Sequence, residues 1–251
     1  MRLRAATLCA GLALAAGCSN TPTTPSGSGG GTSATQIFSG TVAPGESPSH
    51  VFSLPGAQAL HLTFGSLTDS AGNPLNTPLT MQFGTPTADA LGCNPLTSAT
   101  GPVSLQAQIN LSVSQGTYCV ALAETSALTT TANYALKVTY GTPSGTGDPG
   151  TIEYSSTVEP GGFTSRTFQA NSNGTVTIVV DAFAPATVAS LNVGLGYPRN
   201  NGSGCEPSAA IIAARGSQFT VPVDAGVYCV KVSDPGTLTG TTTFTLRIFH
   251  P

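Results

Sequence analysis

The residues best equipped for covalent chemistry are six cysteines, Cys9, Cys18, Cys93, Cys119, Cys205 and Cys229, in a chain of 251 residues. A thiolate can attack a carbonyl, ligate a metal or close a disulfide. Zinc needs close pairs of Cys or His. The last four cysteines are spaced by 26, 86 and 24 positions, so disulfides suit them better, and four cysteines admit three pairings. Other reactive sets are missing from the sequence: it has no H-E-x-x-H, no G-x-S-x-G and no glycine-rich phosphate loop between a strand and a helix. The three histidines, His50, His61 and His250, are expected at the surface. Asp and Glu are scattered without a D-x-D cluster, so six or more calcium-ligating oxygens are not expected to gather. No cofactor and no catalytic group is expected.

The elements that must position these residues are set by composition. Apolar residues make up 39% and charged residues 8%, against about 25% charged in ordinary soluble proteins. Thr and Val favour strands, and the 30 Gly and 19 Pro punctuate turns. The composition reads as all-β. Net charge is −3 with no basic run, which leaves nothing to neutralise phosphates and excludes a nucleic-acid partner.

The N-terminus reads as a secretory signal over residues 1–17. Arg2 and Arg4 are followed by an apolar run from Ala5 to Ala16, too short to cross a bilayer. Leu14-Ala15-Ala16-Gly17-Cys18 resembles the lipobox of bacterial lipoproteins, which implies that Cys18 receives a diacylglycerol thioether and becomes the mature N-terminus. Ala15 stands where that motif usually has Leu. Cleavage after Ala13-Leu14-Ala15 would instead leave Cys18 a free thiol. Ser19 in place of Asp resembles an outer-membrane address. The implied partner is a membrane, reached through the anchor: one acyl chain holds a protein marginally, two hold it stably. Residues 18–35 carry the run SNTPTTPSGSGGGTSA, which has no large apolar side chain and reads as a flexible spacer.

The rest of the chain is written twice. Ile37-Phe38-Ser39-Gly40-Thr41-Val42 and Phe52 match Glu153-Tyr154-Ser155-Ser156-Thr157-Val158 and Phe168 at an offset of 116. Gly84-Thr85-Pro86 and Cys93-Asn94-Pro95 match Gly196-Tyr197-Pro198 and Cys205-Glu206-Pro207 at 112. Gly116 to Val120 and Tyr134 to Val138 match Gly226 to Val230 and Phe244 to Ile248 at 110. The drift is that of short loop deletions. Copy one is expected over 36–140, a linker over 141–150 and copy two over 151–251. Matching positions select Cys93 with Cys119 and Cys205 with Cys229, each bridge worth about 3–4 kcal/mol in the chain-entropy model. Within each copy the period is two. Leu60, Leu62 and Phe64 alternate with His61 and Thr63, and Tyr134, Leu136 and Val138 alternate with Ala135, Lys137 and Thr139. Seven or eight strands per copy predict two antiparallel, jelly-roll-like β-sandwiches in tandem, each with one disulfide. The segment Ala209 to Arg215 is expected as a strand beside Leu195 and Thr220.

The pattern FSGTVAPG…HVFSL…LHLTF…GTYCVAL…NYALKVTY resembles the bacterial pre-peptidase C-terminal domain, a small β-sandwich that accompanies exported peptidases. The likeness covers nearly all of both copies. It implies an accessory or adhesive module rather than a reaction. The chain departs from that pattern in lacking an enzyme domain and in adding a cysteine pair per copy.

Several matched positions have plain readings. His50 matches Arg166 as an exposed base, Glu124 and Asp234 sit in turns, and Lys137 and Arg247 face outward as solvated charges. The Tyr118 and Tyr228 hydroxyls are expected to bond backbone at a corner. There is no Trp to stack on a sugar. Tyr197 has no aromatic counterpart in copy one, and with Arg199 in the loop GYPRNNGSGC it marks the expected ligand-contact surface. The function expected is a non-catalytic, lipid-anchored module at the outer membrane or cell surface, for binding or spacing, with a protein or glycan ligand. A carbohydrate- or matrix-binding adhesin and an accessory module of a peptidase system are the alternatives.

Overall fold

The computed structural model describes residues 34–123, 125–141, 149–199 and 204–251. The leader, Cys18, nearly all of the spacer, residues 142–148 of the linker, Glu124 and loop residues 200–203 lie outside the described residues.

Copy one folds into eight strands: β1 (Ala34–Val42), β2 (Ser49–Leu54), β3 (Gln58–Thr68), β4 (Leu79–Pro86), β5 (Cys93–Gly101), β6 (Ile109–Val113), β7 (Gly116–Ala123) and β8 (Ala132–Tyr140). Copy two repeats them as β9 (Gly150–Val158), β10 (Phe163–Ala170), β11 (Gly174–Ala184), β12 (Leu191–Pro198), β13 (Cys205–Ala213), β14 (Gln218–Val223), β15 (Gly226–Ser233) and β16 (Thr242–His250). In copy one the sheet orders are β1-β8-β3-β6 and β2-β7-β4-β5; in copy two they are β9-β16-β11-β14 and β10-β15-β12-β13. Every pairing is antiparallel. These are the same eight-stranded jelly rolls, twice. The apolar member of each period-two pair points between the sheets. Leu60, Leu62, Phe64, Leu136 and Val138 form one core, and Val176, Ile178, Val180, Leu246 and Ile248 the other.

One bridge per copy joins Cys93 to Cys119 and Cys205 to Cys229, with Cα atoms 5.7 Å apart in each. Each ties edge strand β5 or β13 to β7 or β15, past the strand between them. Such bridges are characteristic of chains that fold in an oxidising compartment.

The repeated G-x-P and C-x-P motifs have one physical cause. Gly84 faces Pro95 and Gly196 faces Pro207, each beside a bulge that leaves Leu96 or Ser208 unpaired. A Cβ on Gly84 would lie 1.8 Å from the Asn94 carbonyl oxygen, and one on Gly196 1.8 Å from that of Glu206. Only glycine permits this approach, and proline blunts an edge strand against further pairing. Gly84→Ala is therefore expected to destabilise by about 1–3 kcal/mol, and Gly196→Ala likewise, measured as a shift in urea midpoint at constant slope.

Ala209 pairs with Leu195 as expected, but Thr220 pairs with Thr177 in the opposite sheet, so the 209–215 strand touches one of its two expected neighbours.

Candidate functional site

The two copies are not beads on a string. In copy two, β16 alternates cleanly between buried and exposed residues. In copy one both faces of β8 and of the second half of β3 are buried. The outer face of that sheet carries copy two.

The contact is centred on the bulge of β3, where Gly65 is the unpaired residue. The Tyr197 ring packs on Gly65 so closely that a Cβ there would sit 2.1 Å from it. The Ser208 hydroxyl donates to the Gly65 carbonyl, and the Ser66 hydroxyl donates to the Pro207 carbonyl at 3.1 Å. Thr68 Oγ1 donates at 3.0 Å to Glu206 Oε2, whose other oxygen pairs with Arg199. Leu105, from the loop between β5 and β6, is buried within the core of copy two. Its carbonyl accepts from the Tyr197 hydroxyl at 3.5 Å and from the Asp224 amide at 3.3 Å, with the Tyr228 oxygen also 3.3 Å away.

Lys137 lies at the middle of this contact and is only 2% exposed. Its Nζ stands 5.2 and 5.3 Å from the Tyr197 and Tyr228 ring centroids and donates to Tyr228 Oη at 3.3 Å. Burial pushes its ammonium down to about 8, with Asp224 opposing. Burial also raises Tyr197 and Tyr228 well above the usual phenol range. Beside Lys137 a cleft of about 430 Å³ opens between the copies. His61, Thr63, Gln106 and Asn110 line it from copy one, Asn173 and Asp224 from copy two. Asp224 Oδ2 accepts from the Ala107 amide at 2.7 Å, and His61 Nδ1 meets Asn110 Oδ1 at 2.5 Å.

Copy two closes the equivalent face differently. Its β11 bulge leaves Asp181 unpaired, as Gly65 is in copy one. Arg247, the counterpart of Lys137, forks onto that carboxylate at 2.7 and 2.8 Å. One copy presents a bare glycine and a lysine to its sister; the other turns the same two positions into a solvated ion pair.

Three expectations are corrected. Tyr197 is fully buried at the domain contact, so its ring is closed to a ligand, while Arg199 pairs with Glu206 of its own copy and keeps its side chain 45% exposed. Lys137 is not solvated, although Arg247 is about half exposed. His50 is half-buried: it stacks on Phe38 at 4.9 Å and meets Tyr134 Oη at 2.7 Å. The corner tyrosines behave as expected, Tyr118 donating to Ser114 O at 3.0 Å and Tyr228 to Asp224 O at 2.6 Å. Asp234 serves its turn, its carboxylate accepting four backbone amides from Gly161, Gly236, Thr237 and Leu238. Thr63, Leu105, Glu206 and Ser208 were not legible as contact residues, because only the docking of the copies buries them.

The chain matches no protein-family model and no curated protein. Among solved structures it is similar to an f-lectin (fucolectin) from the serum of the striped bass, Morone saxatilis, at 11% identity over 84% of this chain and 85% of that one, with a TM-score of 0.27. It is also similar to a chain of Sulfolobus Turreted Icosahedral Virus at 14% identity over 89% and 94%, TM-score 0.27. The PBSX exported protein XepA follows at 7% over 86% of each chain, TM-score 0.26. At these scores none of the three carries an argument about function.

Proposed function

We propose that the chain is a non-catalytic binding module held at the cell envelope by a lipid on Cys18. The observation that supports it best is the docking through Leu105 and Lys137, which brings the two small sandwiches together around a polar cleft. Binding sites commonly lie at such domain junctions. The anchor rests on the sequence around Cys18 and on the uncharged run behind it, which suits a tether.

The anchor is tested by growth with a labelled fatty acid followed by membrane fractionation. Wild type is expected to take up label and to sediment with membranes, while Cys18→Ala loses both. An unlabelled wild type, or a Cys18→Ala chain that stays with membranes, overturns the anchor. The binding reading is tested by a thermal-shift screen of the full chain against small metabolites and glycans, run beside a broad hydrolase screen. Specific stabilisation without turnover supports it; genuine turnover overturns it.

A further inference from the structure

The cleft between the copies contains more polar capacity than the fold uses. Lys137 has three donors, and among the described residues its one hydrogen-bond acceptor is Tyr228 Oη. Among the described residues no carboxylate lies within ion-pairing distance of it; Asp224 acts only at longer range and already accepts from the Ala107 amide. A buried ammonium without an anion is costly unless something compensates it. Thr63 Oγ1 is fully buried on the same wall and has no hydrogen-bond partner among the described residues, against the rule that buried polar atoms are satisfied. Around these two stand the amides of Gln106, Asn110 and Asn173. Gln106 and Asn110 are exposed at the mouth. The volume, about 430 Å³, falls within the range of about 300–1,000 Å³ for small-molecule sites.

Resting on the binding reading above, we propose that this cleft is a site for a hexuronic acid, a monosaccharide bearing one carboxylate and several hydroxyls. The carboxylate takes the Lys137 ammonium. The ring hydroxyls take Thr63 Oγ1, the amides and the remaining oxygen of Asp224. Each feature discriminates. A neutral sugar leaves the ammonium uncompensated and, among the described residues, meets no Phe, Tyr or Trp face in the lining. A dianion such as phosphate would bring a second negative charge into a cleft that Asp224 already lines. A simple carboxylate such as acetate leaves Thr63 and the amides unused.

The test is calorimetric titration of the full chain with galacturonate and glucuronate, beside galactose, glucose, acetate and glycine. One uronate is expected to bind saturably, about tenfold or more tighter than its neutral parent and than acetate, as a charge-assisted hydrogen bond implies. Lys137→Gln is expected to remove that preference. Gln106→Ala, an exposed position outside the core, is expected to weaken the uronate several-fold with an unchanged melting curve. Uronate binding no tighter than that of the neutral sugar, or untouched by both substitutions, overturns the assignment. Saturable binding of galactose or glycine instead overturns the ligand class and keeps a binding module. Failure of every probe overturns this inference, while the thermal-shift screen separately decides the binding reading.

Discussion

Gly65→Asp is expected to separate the two sandwiches while leaving each one folded. The substitution writes into copy one what copy two already has at Asp181. Its Cβ would lie 2.1 Å from the Tyr197 ring, a ring with no room to retreat because it is fully buried. Its carboxylate would enter a contact where Ser208 donates to the Gly65 carbonyl and where Glu206 already supplies a negative charge. An uncompensated buried charge costs about 3–5 kcal/mol. The escape is the arrangement of copy two, in which the new carboxylate pairs with Lys137 and both face water. Each copy keeps its own core and its own disulfide. The wild type is expected to unfold in one transition, because Leu105 of copy one belongs to the core of copy two. Gly65→Asp is expected to show two transitions in calorimetry and a larger radius of gyration in solution scattering. A single transition with an unchanged radius would show that the copies do not depend on this contact. Gly65→Ala, which brings the clash without the charge, is expected to cost less, about 1–3 kcal/mol.

The internal architecture of each copy was legible because it is local and repeated. Leu60, Leu62 and Phe64 alternate with polar neighbours, the cysteines recur at fixed offsets, and Gly84 and Gly196 recur opposite prolines. Each of these signals needs only one strand or one pair of strands to be read. The docking was not legible, since an outward-facing Thr63 or Lys137 follows the same pattern whether water or another domain covers it. The useful signal was the difference between copies. Tyr197 stands where copy one has Thr85, and Gly65 where copy two has Asp181. The first of these asymmetries stands in the sequence, where it suggests a surface for a foreign ligand. It marks instead the surface that one copy turns to its sister. Because the cleft is a by-product of that docking, its polar residues come from five separate places in the chain, around 61–63, 106–110, 137–139, 173 and 224, with no motif among them.

Stability is expected to rise with pH between about 8 and 10 and then to fall. Lys137 titrates near 8 in the folded protein, because burial penalises its charge, and near 10.5 when unfolded. Below pH 8 both states carry the proton and the penalty is present in full, without slope. Between about 8 and 10.5 the unfolded chain holds a proton that the folded one has released, so rising pH favours the fold. The separation of the two values corresponds to about 3 kcal/mol, and at 2% exposure little of it is screened by solvent. Lys231, also pushed down by burial, adds in the same direction. The tyrosines act oppositely. Tyr134 is pushed up to about 12, and Tyr197 and Tyr228 are raised as well. The stability they contribute is whole below pH 10, the unfolded phenol value, and is lost as pH climbs toward their folded values. Urea unfolding without reductant, from pH 7 to 11, should trace a maximum near pH 10. Lys137→Met keeps the length of the side chain and removes its charge. It is expected to stabilise the protein by about 1–3 kcal/mol at pH 7, and to flatten most of the rise. An unchanged rise in Lys137→Met, or none in the wild type, would mean that the ammonium is solvated. A more stable Lys137→Met that no longer distinguishes a uronate from its neutral parent would give the buried lysine its reason: the fold carries a strained charge because that charge is what the cleft offers a ligand.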